Sequence, residues 1–332
     1  MHLWQIRYFP NNAHALRSLC EWKRGTNERI VANSAGSPGI VIPGSLLFDQ
    51  MKVKTQGWLF LGFLVLLALP LYAQDAKPNP AEEYVRHAQL KLVSRQTVQA
   101  EIDELVQTDP PFHMTGTYAS AGLRMRLNYQ VKLGGGAGGS LLEVCDGERL
   151  WSVTTLPGTK RVTRRDVRQI LAAMETAKTR PDRAAVVDLA LGGLPALLAS
   201  FQRSMAFDAL KEETIDDRKF MVVQARWKPD VAQRFGGDAS GGRLPPHVPD
   251  LARIYFAADT EFPVRILYLK KPEDKKIFKP LLDLQFRNVV LDGQVDDKLF
   301  EFTPPDDVEA EDVTQQYLEQ LLPPEPSTKE KK

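Results

Sequence analysis

The chain has 332 residues, of which 43% are hydrophobic and 26% are charged, and its formal net charge is +1. A net charge so close to neutral does not indicate nucleic-acid binding, so no nucleic-acid partner is expected. The chain is long enough for one large domain with a hydrophobic core of its own.

A secretory signal peptide is predicted at residues 51–73. Lys52 and Lys54 form its basic flank, Trp58–Leu69 its uncharged apolar stretch, and Ala73 the small residue before a cleavage site. The apolar stretch is shorter than the roughly 20 residues that a membrane-spanning helix needs. We therefore expect cleavage after Ala73 and a soluble periplasmic product, with an uncleaved membrane anchor as the alternative.

Residues 1–50 precede this signal and show few apolar residues at helical or strand spacing. Because a signal peptide works from the start of a chain, we predict that Met51 is the true start and that residues 1–50 are not part of the protein; a genuine leader is the alternative.

The exported part, from residue 74, has 36 Lys and Arg against 39 Asp and Glu, a net charge of −3, and Cys145 as its one cysteine. It can form no disulfide within the chain and depends on packing.

A helix is predicted at the start of the exported domain. Asn79 suits the N-cap, Pro80 suits the first helical position, and Glu82 lies three residues after the cap, as in a capping box. The apolar residues that follow share one helical face: Tyr84, Val85, Ala88 and Leu92. We expect this helix to pack on a sheet.

Apolar residues then alternate with polar ones, which indicates β-strands. The clearest strand is 124–133, where Met125, Leu127 and Tyr129 face one side and Arg126 and Asn128 the other. Further strands are predicted at 98–102, 141–145, 149–155, 209–215, 219–227, 253–258, 264–269, 281–291 and 300–303. A glycine-rich hairpin loop at 134–139 and a long loop at 228–250 separate some of them. Successive hairpins predict an antiparallel sheet that curls.

The region from 163 to 205 is predicted to be helical. Thr163–Asp166 resembles a second capping box, and apolar residues follow at helical spacing: Val167, Ile170, Leu171, Met174 and Ala177. A second apolar stretch, 186–205, contains Gly192-Gly193 and Pro195, which are unfavourable inside a helix. These helices either cover one face of the sheet or gate a cavity with the Gly-Gly step as a hinge, and the sequence leaves both interpretations open.

Few residues suggest catalysis or metal binding. His87, His113 and His247 have no metal-ligand spacing, and the sequence contains no nucleophile motif. Cys145 lies in a predicted strand beside a turn and is interpreted as a small strand residue rather than a nucleophile. We predict no metal, no cofactor and no enzyme activity.

A curled sheet under a thin helical cover presents more apolar surface than the helices can fill. Apolar surface left in water costs about 25 cal/mol per Å², and an acyl chain would cover it. The candidate lipid-binding residues are Met114, Tyr118, Met125, Leu127, Tyr129, Trp151, Leu197 and Phe201. A fully packed core has the same pattern, and Tyr118 and Trp151 would also suit stacking on sugars.

Two segments resemble the LolA/LolB-like family of periplasmic lipoprotein carriers. One is Phe-Glu-Phe-Thr-Pro-Pro-Asp-Asp-Val at 300–308, the other is Val-Cys-Asp-Gly-Glu-Arg-Leu-Trp at 144–151, and the order of elements fits over 79–315. The resemblance implies an α+β, mainly β fold in which a curled antiparallel sheet forms an unclosed barrel and helices cover its concave face. It implies a lipid-binding domain at 74–322, followed by a charged tail at 323–332 that we expect to be disordered.

The resemblance also implies a function. Carriers of this family hold acyl chains under a helical lid and sort lipoproteins to the outer membrane without catalysis. For this chain it implies acylated lipoproteins or lipids as ligands, membrane release and receptor proteins as partners, and a monomer. The family's lid arginine is not carried over to this chain, because Ala121-Gly122 occupies its place and Arg124 falls about two places later. The alternative is an envelope module that senses a lipid or a partner on the same fold without transport; a carbohydrate-acting enzyme is a third, weaker hypothesis.

Overall fold

The computed structural model describes residues 79–107, 111–132, 138–176, 191–236, 244–272 and 277–321. All of them belong to the second of the two units into which the chain divides, Lys77–Lys332. The predicted upstream extension, the signal peptide and the tail at 323–332 lie outside the described residues, as does most of the glycine-rich loop.

The described strands form one sheet of 12 strands. Their bounds are β1 Val98–Val106, β2 Phe112–Ala121, β3 Arg124–Lys132, β4 Gly138–Cys145, β5 Arg149–Leu156, β6 Thr159–Asp166, β7 Met205–Ile215, β8 Arg218–Trp227, β9 Leu251–Ala257, β10 Pro263–Lys270, β11 Lys279–Leu291 and β12 Ala310–Asp312. Their order across the sheet is β12-β6-β5-β4-β3-β2-β1-β11-β10-β9-β8-β7.

Neighbouring strands of this sheet run antiparallel, except that β12 runs parallel to β6. The two edge strands, β7 and β12, stand at opposite ends of the order, so the sheet is not closed. The predicted mainly β fold, with an unclosed sheet and a few helices, is confirmed.

The described helices are α1 Pro80–Val93, α2 Val167–Thr176, α3 Gly193–Ser204, α4 Pro229–Arg234 and α5 Thr314–Leu321, with a 3-10 helix at Asp297–Phe300. Helices α1 and α3 pack on each other and on β7, and α2 packs on β5 and α5. None of the helices within the described ranges combines the length and the apolar character needed to cross a membrane.

One face of the sheet is covered by α1 and α3, and we call it the helix-covered face. The ring of Tyr84 in α1 lies 5.4 Å from that of Phe256 in β9, and the ring of Phe201 in α3 stacks at 5.7 Å on Tyr268 in β10. The opposite face carries an apolar cluster of its own: Val222, Leu251, Tyr255, Leu267 and Leu269.

The start of α1 is as the sequence predicts. The side chain of Asn79 accepts a hydrogen bond from the backbone N–H of Ala81 at 2.9 Å, and Pro80 occupies the first turn. Such a cap satisfies one of the backbone donors that a helix leaves unpaired at its N-terminus.

Several sequence predictions between the strands are wrong. Thr163 does not begin a capping box, because it lies within β6; the cap of α2 is Asp166, whose carboxylate accepts from the N–H of Gln169 at 2.8 Å. The predicted strand at 300–303 is absent, since Phe300 ends the 3-10 helix. Met205 begins β7 rather than ending a helix, and the short helix α4 interrupts the predicted loop at 228–250.

Candidate ligand-binding face

The structure brings seven of the eight predicted lining residues onto the helix-covered face or the helix above it. Tyr118 points to this face, because its hydroxyl accepts a hydrogen bond from the N–H of Leu194 in α3. Leu127 stands directly opposite Tyr118, and directly opposed residues share a face. By the same register, Met114, Met125 and Tyr129 lie on this face, and α3 contributes Leu197 and Phe201. Each of the seven is at most 7% exposed.

Trp151 is the exception, because it lies on the other face of the sheet. Its neighbour Leu150 is opposite Cys145, which is opposite Met125 on the helix-covered face, so Trp151 points away from that face. Its ring lies 5.6 Å from the ring of Phe302. The two segments on which the family resemblance rests, 144–151 and 300–308, therefore contact each other on the uncovered side.

At the start of α3, two glycines lie close to the sheet. Gly192 and Gly193 have φ angles of 73° and 77°, in the left-handed region that favours glycine. A Cβ atom at Gly192 would lie 3.1 Å from the sulfur of Met125, and one at Gly193 would lie 3.3 Å from the hydroxyl oxygen of Tyr118. Because α3 begins at Gly193, both glycines lie outside the helix interior. The geometry favours a turn of defined conformation over a flexible break within a helix.

Helices α1 and α3 are tied together through one glutamine. The side-chain amide of Gln89 in α1 donates to the backbone carbonyl of Pro195 at 3.2 Å, and the side-chain amide of Gln202 in α3 donates to the side-chain oxygen Oε1 of Gln89 at 2.5 Å. The two helices therefore form a hydrogen-bonded pair over the sheet. Any opening of the helix-covered face either moves them together or breaks these bonds.

Helix α1 is also fixed to the turn between β9 and β10. The carboxylate of Glu261 contacts His87 at 2.6 Å and the ammonium of Lys91 at 3.3 Å. Burial acts to raise the pKa of Glu261, but the hydrogen bonds from His87 and Lys91 outweigh it and hold this pKa below its ordinary value. This anchor lies at the rim of the helix-covered face.

Buried polar groups interrupt the apolar surface, and the sequence analysis missed them. Glu104 is fully buried and accepts a hydrogen bond from the hydroxyl of Tyr129 at 2.8 Å. Burial and the charge of Glu104 both raise the pKa of Tyr129, which keeps this hydroxyl a donor. The buried guanidinium of Arg165 pairs with the carboxylate of Glu143 at 3.4 Å. Glu104 occupies a position where the alternation of β1 predicts an apolar residue.

Cys145 lies on this face, directly opposite Met125. Burial raises the pKa of the Cys145 thiol to about 11, so it stays protonated at neutral pH and is a poor nucleophile. Within the described ranges no group of three or more His, Cys, Asp or Glu side chains is placed to hold a metal ion. What the face offers a ligand is apolar side chains with a few buried hydrogen-bonding groups among them.

No protein-family model matches the chain, and no curated protein matches it. Among solved structures it is similar to the Pseudomonas aeruginosa MucA/MucB complex, with 14% identity over 67% of this chain and a TM-score of 0.28; there it spans only 60% of the matched chain. It is similar to the lipoprotein LppX of Mycobacterium tuberculosis, with 10% identity and a TM-score of 0.34. That match covers 65% of this chain and 97% of LppX. It is also similar to a LolA superfamily protein of Nitrosomonas europaea, with 11% identity and a TM-score of 0.27. That match covers 68% of this chain and 99% of the Nitrosomonas europaea protein.

Proposed function

We propose that this protein is a periplasmic carrier that binds the acyl chains of lipoproteins or other lipids between the helix-covered face and helix α3. The observation that carries the proposal is that Met114, Tyr118, Met125, Leu127 and Tyr129 are buried on one face of the sheet, the face on which α3 buries Leu197 and Phe201. The first turn of α3 meets this group directly, because Leu194 bonds to Tyr118 and the preceding glycines lie beside Met125.

The face is closed in the conformation described, so an acyl chain enters by displacing α3. The helix buries Leu194, Leu197, Leu198 and Phe201. At about 1.5–3 kcal/mol for each buried side chain, exposing all four costs roughly 6–12 kcal/mol. An acyl chain of about 14 carbons gains roughly 11 kcal/mol on burial, at about 0.8 kcal/mol per methylene. The two quantities are similar, which suits reversible loading and release.

The finer part of the proposal concerns delivery. We take the cargo to be acylated lipoproteins destined for the outer membrane, passed on by an inner-membrane release protein and an outer-membrane receptor to a monomeric carrier. The family resemblance at 144–151 and 300–308 supports this. The rings of Trp151 and Phe302 bring the two segments into contact at 5.6 Å, on the face of the sheet opposite α1 and α3.

A second candidate function is a lipid- or partner-sensing module of the envelope that transports nothing. The positive φ angles of Gly192 and Gly193 and the bonds made by Gln89 favour it, because they fix the helical cover in place. A cover that opens rarely suits a sensor that changes state on binding better than a carrier that loads and unloads repeatedly.

The experiment that tests the carrier function starts with the protein purified without detergent from the periplasm of cells that export it. Mass spectrometry of the extracted lipid should find acylated molecules in near-stoichiometric amount, and mixing with acceptor vesicles should deplete them. Retention of the lipid in the presence of vesicles would favour the sensor. Protein that emerges free of lipid from cells rich in lipoproteins would contradict both functions.

A further inference from the structure

A cleft of about 530 Å³ opens at the end of the sheet where β10 is followed by β11. This volume lies in the range of sites for small molecules, about 300–1,000 Å³. Its wall combines apolar side chains with lysines: Leu244, Pro246 and Leu281 with Lys270, Lys271 and Lys279. The cleft is distinct from the surface beneath α3 and plays no part in the function proposed above.

Hydrogen bonds to backbone carbonyls hold the apolar wall of the cleft in place. Leu244 is 6% exposed and packs into the protein. The backbone N–H of Gln107, at the end of β1, donates to the carbonyl of Leu281 at 2.8 Å. The ammonium of Lys270 donates to the carbonyl of Leu244 at 2.8 Å. The first bond joins the end of β1 to β11, and the second joins β10 to the segment before β9.

Positive charge is concentrated on the other side of the cleft. Lys270 and Lys279 stand directly opposite each other on β10 and β11, and like charges in such a position repel. Asp250 compensates only Lys270: one of its oxygens accepts from the Lys270 ammonium at 2.7 Å, and the other accepts from the backbone N–H of Lys271 at 2.7 Å. Both oxygens of this carboxylate are therefore in use.

The side chains of Lys271 and Lys279 are left to the solvent. Both residues are exposed, and among the residues that the structure describes no carboxylate forms an ion pair with either ammonium. The described lining of the cleft contains no Asp or Glu. An anion at the cleft would compensate the charges of Lys271 and Lys279, and an apolar group attached to it would cover Leu244, Pro246 and Leu281.

We propose that this cleft binds an anionic amphiphile, with its phosphate or carboxylate group between Lys271 and Lys279 and its apolar part on Leu244, Pro246 and Leu281. A lipid headgroup and a free anion share the charged chemistry, and the apolar wall favours the lipid. The lysines of the cleft make its affinity depend on the charge of the ligand, whereas the surface beneath α3 binds only the acyl chain.

The test measures binding by titration calorimetry of the full exported chain with dodecyl phosphate, with dodecylphosphocholine and with inorganic phosphate, each detergent below its micellar concentration. Dodecyl phosphate should bind about tenfold more tightly than dodecylphosphocholine at low salt, as expected for two partly exposed charge contacts. The difference should shrink as salt is added. Lys271→Gln with Lys279→Gln should abolish the difference, and the matched pair Lys211→Gln with Lys298→Gln, at exposed lysines away from the cleft, should retain it.

An unchanged preference for dodecyl phosphate in the folded Lys271→Gln, Lys279→Gln protein would overturn the proposal. Equal loss of the preference in the Lys211→Gln, Lys298→Gln protein would also overturn it, because it would indicate a general charge effect. Binding of inorganic phosphate as tight as that of dodecyl phosphate would overturn it as well, because it would indicate a simple phosphate site. Failure of the acyl-chain site beneath α3 would leave the difference between the two detergents intact, because that difference comes from the lysines of the cleft. Failure of the present proposal would remove the difference.

Discussion

The hydroxyl of Tyr118 in β2 accepts a hydrogen bond from the backbone N–H of Leu194, at 3.3 Å, and so joins the middle of the sheet to the first turn of α3. Leu194 carries one of the N–H groups that a helix leaves unpaired at its N-terminus. Gly192, which precedes α3, has no side-chain cap for this turn. Tyr118 therefore takes the place of a cap and fixes the helix over the sheet.

Replacing Tyr118 by Phe should loosen this end of α3. The change leaves the N–H of Leu194 buried without its partner, which should lower the free energy of unfolding by about 1–2 kcal/mol. Uptake of a fluorescent fatty acid should become faster, because α3 leaves the sheet more readily. Tyr255→Phe, in the apolar cluster of the other face, is the matched control and should leave uptake unchanged. Equal uptake rates in both variants would show that this bond does not hold the cover.

Alanine at Gly192 or Gly193 should destabilise the protein rather than merely stiffen a hinge. Both glycines have positive φ, where a Cβ atom costs about 1 kcal/mol or more, and each new Cβ would crowd Met125 or Tyr118. Thermal unfolding of the single variants measures the loss. Gly138→Ala, at a strand glycine without positive φ and with its nearest contact at 3.6 Å, is the control and should unfold near the wild-type temperature. A folded double variant of wild-type stability with slower fatty-acid uptake would instead restore the hinge hypothesis.

The anchor of α1 should make stability depend on pH in the acidic range. The pKa of Glu261 is lower in the folded protein than its ordinary value of 4.5, because the bonds from His87 and Lys91 outweigh the effect of burial. A carboxylate with a depressed pKa stabilises the fold fully above its unfolded pKa, and this stabilisation is lost as the pH falls through the folded pKa. Glu261→Gln should therefore unfold at a lower temperature than the wild type at pH 7, and the difference should shrink below pH 4.5 and vanish once the pH is below the folded pKa. A difference that grows as the pH falls below 4.5 would contradict this role of Glu261.

Alternation predicted the faces of the strands well where the apolar residues are dense. In β3, Met125, Leu127 and Tyr129 are buried as the pattern indicates, and Asn128 lies on the other side. The strand β6 escaped prediction because its sequence, Thr159–Asp166, is rich in charged residues, and its pairing with β5 and β12 outweighs the weak local preference.

The site was harder to predict than the fold because its contacts are long-range. The face to which Trp151 points depends on the register between β4 and β5, which alternation within one strand does not give. The pairing of Glu104 with Tyr129, and of Glu143 with Arg165, joins residues that sequence spacing does not connect. The local signs of this buried network were glutamates at otherwise apolar positions, Glu104 in β1 and Glu143 between Leu141 and Cys145 in β4.

The most direct test of the acyl-chain site compares Leu127→Asp with Asn128→Asp. The two residues are neighbours in β3, but only Leu127 faces the helices, where it is 7% exposed. A carboxylate there would be buried without a partner and should cost several kcal/mol or expel a bound acyl chain. Titration with a fluorescent fatty acid, with affinity expressed per folded molecule from the melting curve, should show binding lost in Leu127→Asp and retained in Asn128→Asp. Equal affinity of the two folded variants would contradict acyl-chain binding beneath α3.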